Sequence, residues 1–127
     1  MAEQVDSNTR TFEADAAIAQ FARVVLEADG KIVTAGLAEK EVGIATREAF
    51  AAGDKIAVKL RSAAGTHKMI AVEALAVGAT VYTEAAGKVQ DTAQATAFQV
   101  GTALQAATAD GDIIEVLYNA HGDTAAV

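Results

Sequence analysis

From Arg23 onward, apolar and polar positions alternate in short runs broken by glycine-containing turns, which is the period-two pattern of half-buried strands. The clearest run is Lys55-Ile56-Ala57-Val58-Lys59-Leu60-Arg61. Ile56, Val58 and Leu60 share one face, and Lys55, Lys59 and Arg61 the other. Similar runs predict strands over 23–27, 31–34, 41–45, 55–61, 67–72, 80–83, 87–89, 99–102 and 113–118. Asp29-Gly30 between two β-branched runs predicts a tight hairpin, because glycine accepts the positive φ such turns need. Two segments rich in Ala and Gln, 15–22 and 92–109, have the composition of short helices. Gly101 argues against one continuous helix through the second.

A recurring pattern organises the strands. Ala-x-Ala-x-Gly followed by Asp or Ala, a variable residue and Ile or Val begins at Ala49, Ala74 and Ala107. A worn fourth copy begins at Ala17, with Phe21 in the glycine position. Each copy predicts a turn feeding a strand. A longer match aligns Val42–Leu60 with Val100–Tyr118 at an offset of 58, with nine of nineteen residues identical. Gly53, Asp54, Gly78, Gly111 and Asp112 are therefore read as structural turn residues. Glycine supplies the turn dihedral and Asp accepts nearby backbone N–H groups.

Composition narrows the picture. The 127 residues fit one domain, divided here into an N-terminal arm (1–16), a β-domain (17–118) and a C-terminal tail (119–127). Ala supplies 32 of the hydrophobic residues, while Val, Ile, Leu and Phe total 30, so the private core is expected to be thin and helped by partners. Net charge is −7, which disfavours a broad grip on nucleic acid or an anionic membrane. After Lys88 there is no Lys or Arg, and Asp91, Asp110, Asp112, Glu115 and Asp123 follow. Lys55, Lys59, Arg61 and Lys68 form a basic cluster, read either as a solvated face or as a dock for that acidic portion of a neighbouring subunit. With no Cys there is no disulfide and no thiolate site. No apolar run has the length of a membrane helix, and the acidic N-terminus is unlike a signal peptide, so synthesis in a cytoplasm is expected.

Chemistry-bearing motifs are few. His67 and His121 lack the spacing of zinc ligands, and Ser7 and Ser62 lack a nucleophile-elbow context. No phosphate-binding glycine motif occurs. The expectation is a protein that is not an enzyme, with no catalytic residue, metal or cofactor. A small β-barrel enzyme or ligand-binding module is the rival reading.

Several segments together resemble a known family. They are Val24-Val25-Leu26, Val42-Gly43-Ile44-Ala45, Ala52-Gly53-Asp54-Lys55-Ile56, Val77-Gly78-Ala79-Thr80-Val81-Tyr82, Gly87-Lys88-Val89 and Val100-Gly101-Thr102-Ala103-Leu104 with Asp110-Gly111-Asp112. In order and spacing they resemble the capsid decoration, or cement, proteins of tailed bacteriophages, over about 11–117. Phe21 departs from the family, where an early Gly is usual. The resemblance implies a mainly β domain of small β-barrel or β-tulip type, to which the polar N-terminus adds an extended arm and the two Ala- and Gln-rich segments room for one or two short helices. It implies homotrimers on the outer surface of the expanded head that stabilise the shell, with the major capsid protein as partner. It also implies that the arm, Asn8, Thr9, Arg10, Thr11 and Phe12 within it, reaches that partner. A head-fibre or adhesin-like base is the alternative at the same location.

Overall fold

A computed structural model describes residues 8–118. The fold is mainly β, built from two five-stranded antiparallel sheets. The first contains β1 (Thr9–Glu13), β2 (Arg23–Leu26), β3 (Ile32–Thr34), β4 (Gly43–Ala45) and β5 (Lys55–Leu60), in the order β1-β5-β4-β2-β3. The second contains β6 (His67–Ile70), β7 (Thr80–Thr83), β8 (Val89–Gln90), β9 (Gln99–Ala103) and β10 (Ile113–Tyr118), in the order β6-β10-β9-β7-β8. The two orders are the same order. The repeat read at offset 58 thus belongs to a duplication of the whole β-unit. Ala14, Ile18 and Phe21 correspond to Ala71, Leu75 and Gly78, each 57 residues on, because each trio makes the same backbone bonds. One residue is gained between Val89 and Val100, and the offset becomes 58.

Neither sheet closes into a barrel. Single parallel bridges, Ala14 to Ile32 and Ala71 to Val89, bring the first strand of each sheet back toward its last. Residues 9–13, read as part of an arm, form β1, with Phe12 buried opposite Ile56. Residues 1–7 of that arm and the tail 119–127 lie outside the described residues. The Ala- and Gln-rich stretches are not α-helical. The helical turn in the described chain is a 3-10 turn at Ala85–Gly87. In those stretches Ala22, Ala97, Ala103 and Ala107 are buried, and Ile18, Phe21, Ala103 and Ala107 donate their N–H groups to distant segments; such tertiary pairing outweighs intrinsic helix propensity.

All four repeat copies are turns, and they meet in pairs. Ile18 and Ala49 exchange N–H···O bonds of 2.9 Å, and Leu75 and Ala107 exchange bonds of 3.0 Å. Each copy then enters a strand: β2, β5, β7 or β10. In the Gly-Asp turns, Asp54 Oδ2 accepts from the Phe50 N–H at 2.8 Å, and Asp112 Oδ2 from the Thr108 N–H at 2.7 Å. Gly78 sits at φ +87°, and Phe21 adopts φ +68° at the equivalent position. A bulky residue is strained there by about 1–2 kcal/mol.

Each half has its own core. Phe12, Ile18, Val24, Ile32, Ile56 and Val58 fill the first, and Met69, Leu75, Val81, Val89, Ile114 and Val116 the second. Nine of the twenty-four buried hydrophobics among the described residues are Ala, which lets strands pack closely at modest apolar gain. Closeness is greatest at Gly43 and Gly101. A Cβ on either would overlap the backbone of the neighbouring strand, at Lys59 O and Leu117 O respectively.

The halves are joined by residues on the outward faces of their sheets. Ile44, opposite Lys59, inserts into the second core, and Ile70, opposite Ile113, inserts into the first. Beside Ile44 lies Arg23, which is fully buried. Its guanidinium donates to the carbonyls of Lys88, Glu39, Gly36 and Glu84 and to Glu41 Oε1, the last at 3.1 Å. All five N–H donors are thereby used. The other Glu41 oxygen accepts from the Tyr118 hydroxyl at 2.8 Å. Burial, and then the Glu41 charge, pushes the Tyr118 phenol well above its usual 10.0, so it remains a donor.

Two outcomes follow from this packing. Glu41→Gln strips a buried cation of its counter-charge and should cost about 3–5 kcal/mol in urea unfolding. Gly101→Ala should cost about 3 kcal/mol or more by forcing two strands apart. Gly36→Ala, where the added methyl meets only the end of the Glu39 side chain, serves as the mild control in the same measurement.

Candidate functional site

A half-open cleft of about 820 Å³ lies between the two sheets. Phe21, Ile44, Thr46 and Lys59 line it from the first half, and His67, Lys68, Ile113 and Glu115 from the second. Phe21 reaches the cleft through its left-handed backbone. Its side chain touches both cores, and the Lys68 ammonium lies 5.5 Å from its ring centre. Lys59 Nζ donates to the Thr66 carbonyl, and the Thr66 hydroxyl donates to Glu115 Oε2 at 2.6 Å. Two ammonium groups and one carboxylate therefore share the rim.

His67 belongs to the frame of this cleft. Its Nε2 lies 2.9 Å from the Leu60 carbonyl, which can only accept, so Nε2 carries the proton. The ring stands edge-on to Tyr118, with centroids 4.7 Å apart. Nδ1 is buried with no hydrogen-bond partner. Protonation would create an unsatisfied buried donor. Burial accordingly lowers the His67 pKa from its usual 6.5, against the opposing pull of the Leu60 carbonyl. This geometry suits a structural imidazole, with no nucleophile or metal called for.

The other titratable gathering is at the β2–β3 hairpin. The carboxylates of Asp15, Glu27 and Asp29 lie within 4.8 Å of one another and are the described residues nearest to a cation-ligating set. Hydrogen bonding with Asp15, then desolvation, raises the Glu27 pKa, as expected of two carboxyls sharing a proton. Lys31, paired with Glu13 at 3.5 Å, already supplies positive charge beside them.

The residues singled out from sequence are dispersed. Thr9, Arg10, Thr11 and Phe12 lie on β1, where the Arg10 guanidinium covers the Phe12 ring at 4.6 Å, and Asn8 accepts from the Leu60 N–H. Gly53 and Asp54 stand in the turn before β5, Gly78 in the turn before β7, and Gly111 and Asp112 in the turn before β10. None of these lines the cleft. Of the basic cluster, Lys59 and Lys68 do line it. Sequence reasoning missed Arg23, Glu41 and Phe21 as organisers. The signal at Phe21 was its glycine position in the repeat.

The neutral form of His67 is the form the fold accepts. Its depressed pKa means that its stability contribution is complete above 6.5 and is lost as pH falls through the lower folded-state value. Unfolding free energy measured against pH should therefore fall more steeply below 6.5 in the parent than in His67→Gln, which keeps a donor toward Leu60 but cannot ionise.

Comparison with known proteins gives a likeness of fold. No protein-family model matches the chain, and no curated protein does. Among solved structures, the fold is similar to the crystal structure of the head fiber gp8.5 N base of bacteriophage phi29. The match has a TM-score of 0.70 at 19% sequence identity and covers 87% of this chain and 92% of that one. The fold of the described chain is thus also the fold of a base module in a phage head fiber.

Proposed function

We propose that this protein is a structural component of a bacteriophage virion, attached to the outer surface of the head. The observation that carries the reading is the whole-length likeness of fold to the phi29 head fiber base, which includes both sheets rather than one shared motif. The motif order read from the sequence supports the same setting independently. A buried, hydrogen-bonded His67 and turn-capping aspartates supply structure rather than a reaction centre.

In this reading the partner is the major capsid protein, and the protein acts as a homotrimer bridging neighbouring capsomers. Binding only to the expanded shell stabilises that state by mass action, and many weak contacts add through multivalency. The segment around β1, with Asn8 to Phe12, contributes to attachment. A second reading, the base of a head fibre, is favoured by the phi29 likeness itself. The two differ in what attachment does to the shell.

Purified protein mixed with expanded, undecorated heads of the cognate phage should bind saturably. A rise in the temperature at which heads release DNA marks a decoration protein. Saturable binding with no such rise marks a fibre base. Absence of saturable binding rejects both. Removing residues 1–7 should leave the unfolding free energy within about 1 kcal/mol of the parent, as trimming a chain terminus commonly does, while weakening head attachment.

A further inference from the structure

The duplication provides an internal control for the surface. On β10, Ile113, Glu115 and Leu117 alternate outward, and Leu104 beside Glu115 extends the same face. Leu104, Ile113 and Leu117 are 39%, 43% and 46% exposed. The positions 58 residues earlier are Thr46, Lys55 and Lys59. One fold therefore presents a polar and cationic outer face in its first half and an apolar one in its second. Of these three, Lys55 is exposed and shows that Lys is accepted on such a face, while Thr46 and Lys59 line the cleft.

The apolar face runs into the cleft at Ile113, and the opposite wall and rim carry Lys59 and Lys68. Lys68 has no carboxylate within ion-pair distance among the described residues. The cleft is also flanked by an open sheet edge. β6 is the outermost strand of its sheet; just past its end Ala71 bonds inward to Asp112 and Gly111 and the Val72 N–H donates to the Val89 carbonyl on the other side, so the open stretch of edge is that of β6 itself. By alternation along an antiparallel ladder, Lys68 turns its N–H and C=O away from β10. An open edge beside an apolar floor is the geometry that receives an added strand.

We propose that this cleft docks an extended peptide segment of a partner protein, with acidic side chains alternating with apolar ones. The apolar residues cover Ile113 and the Phe21 ring, the acidic ones meet Lys68 and Lys59, and main-chain bonds form along β6. The chain's net charge of −7 repels acidic partners in general, so the local cations supply the complementarity. Glu115 stands against one position of the segment and selects a neutral residue there. The inference concerns the chemistry of the occupant and stands apart from the virion reading.

The test uses the protein as it is, with a labelled peptide of about eight residues, a usual strand length, alternating Glu and Val. A Lys and Val peptide is the control. The acidic peptide should bind saturably, weaken with added salt, and shift backbone amide resonances of β6 and β10. Ile113→Lys, which writes the residue the first half carries at Lys55, should keep the unfolding midpoint and weaken binding at least about tenfold, as loss of a central anchor does. Lys68→Glu should do the same. Lys55→Ile should leave binding unchanged. Three results would overturn the proposal: equal binding of the two peptides, affinity retained in both cleft variants, or amide shifts confined to other strands. It would equally fall if the parent self-associated and Ile113→Lys abolished that association, since a second copy would then be the occupant.

Discussion

The structure depends on a cation placed where no water reaches. Arg23 sits on the outward face of β2, and the second half closes over it. A buried guanidinium is tolerable only if every donor finds an acceptor. Four of its acceptors are main-chain carbonyls from two segments, 36–39 and 84–88, that belong to different halves. The charge thereby dictates the course of two loops. Glu41 completes the shell and passes the link on to Tyr118 at the end of β10. At the equivalent place in the second half stands Thr80, which is exposed. The asymmetry between the halves starts there.

The strands were legible because alternation is a direct record of burial on one sheet face. Ile56, Val58, Ile114 and Val116 announce themselves in this way. β1 was not legible, since within Thr9–Glu13 only Phe12 is apolar and its neighbours read as a polar terminus. The full duplication was hidden by the single residue gained between Val89 and Val100, which breaks any constant offset. The join between halves was illegible for a deeper reason. Arg23, Ile44 and Ile70 occupy outward strand positions, and strand periodicity assigns such positions to solvent. Only the packing of one sheet against the other reverses that assignment.

The cleft follows from the same join. The halves also touch where His67 Nε2 meets the Leu60 carbonyl, where the Thr83 hydroxyl donates to the Leu37 carbonyl and where the Gly87 N–H donates to the Ala35 carbonyl, and the cleft lies beside Ile44 with Phe21 in its lining. Glycine at that position would have met the backbone requirement without strain. The phenyl ring instead spans both cores, so a local conformational cost is offset by packing between halves. Residues that face the cleft were visible to sequence reading only as a basic cluster and as surplus apolar positions.

The exchange of Ile44 and Ile70 has a further consequence for a chain made from its N-terminus. When the first half leaves the ribosome, its core lacks Ile70 and its Arg23 lacks the carbonyls of Glu84 and Lys88. At about 5–20 residues per second, the interval between Leu60, where β5 ends, and Lys88 is roughly one to six seconds. Through that interval the first β-unit is an incomplete body holding an unsatisfied charge. Two units of the same architecture thus share buried groups that neither completes without the other.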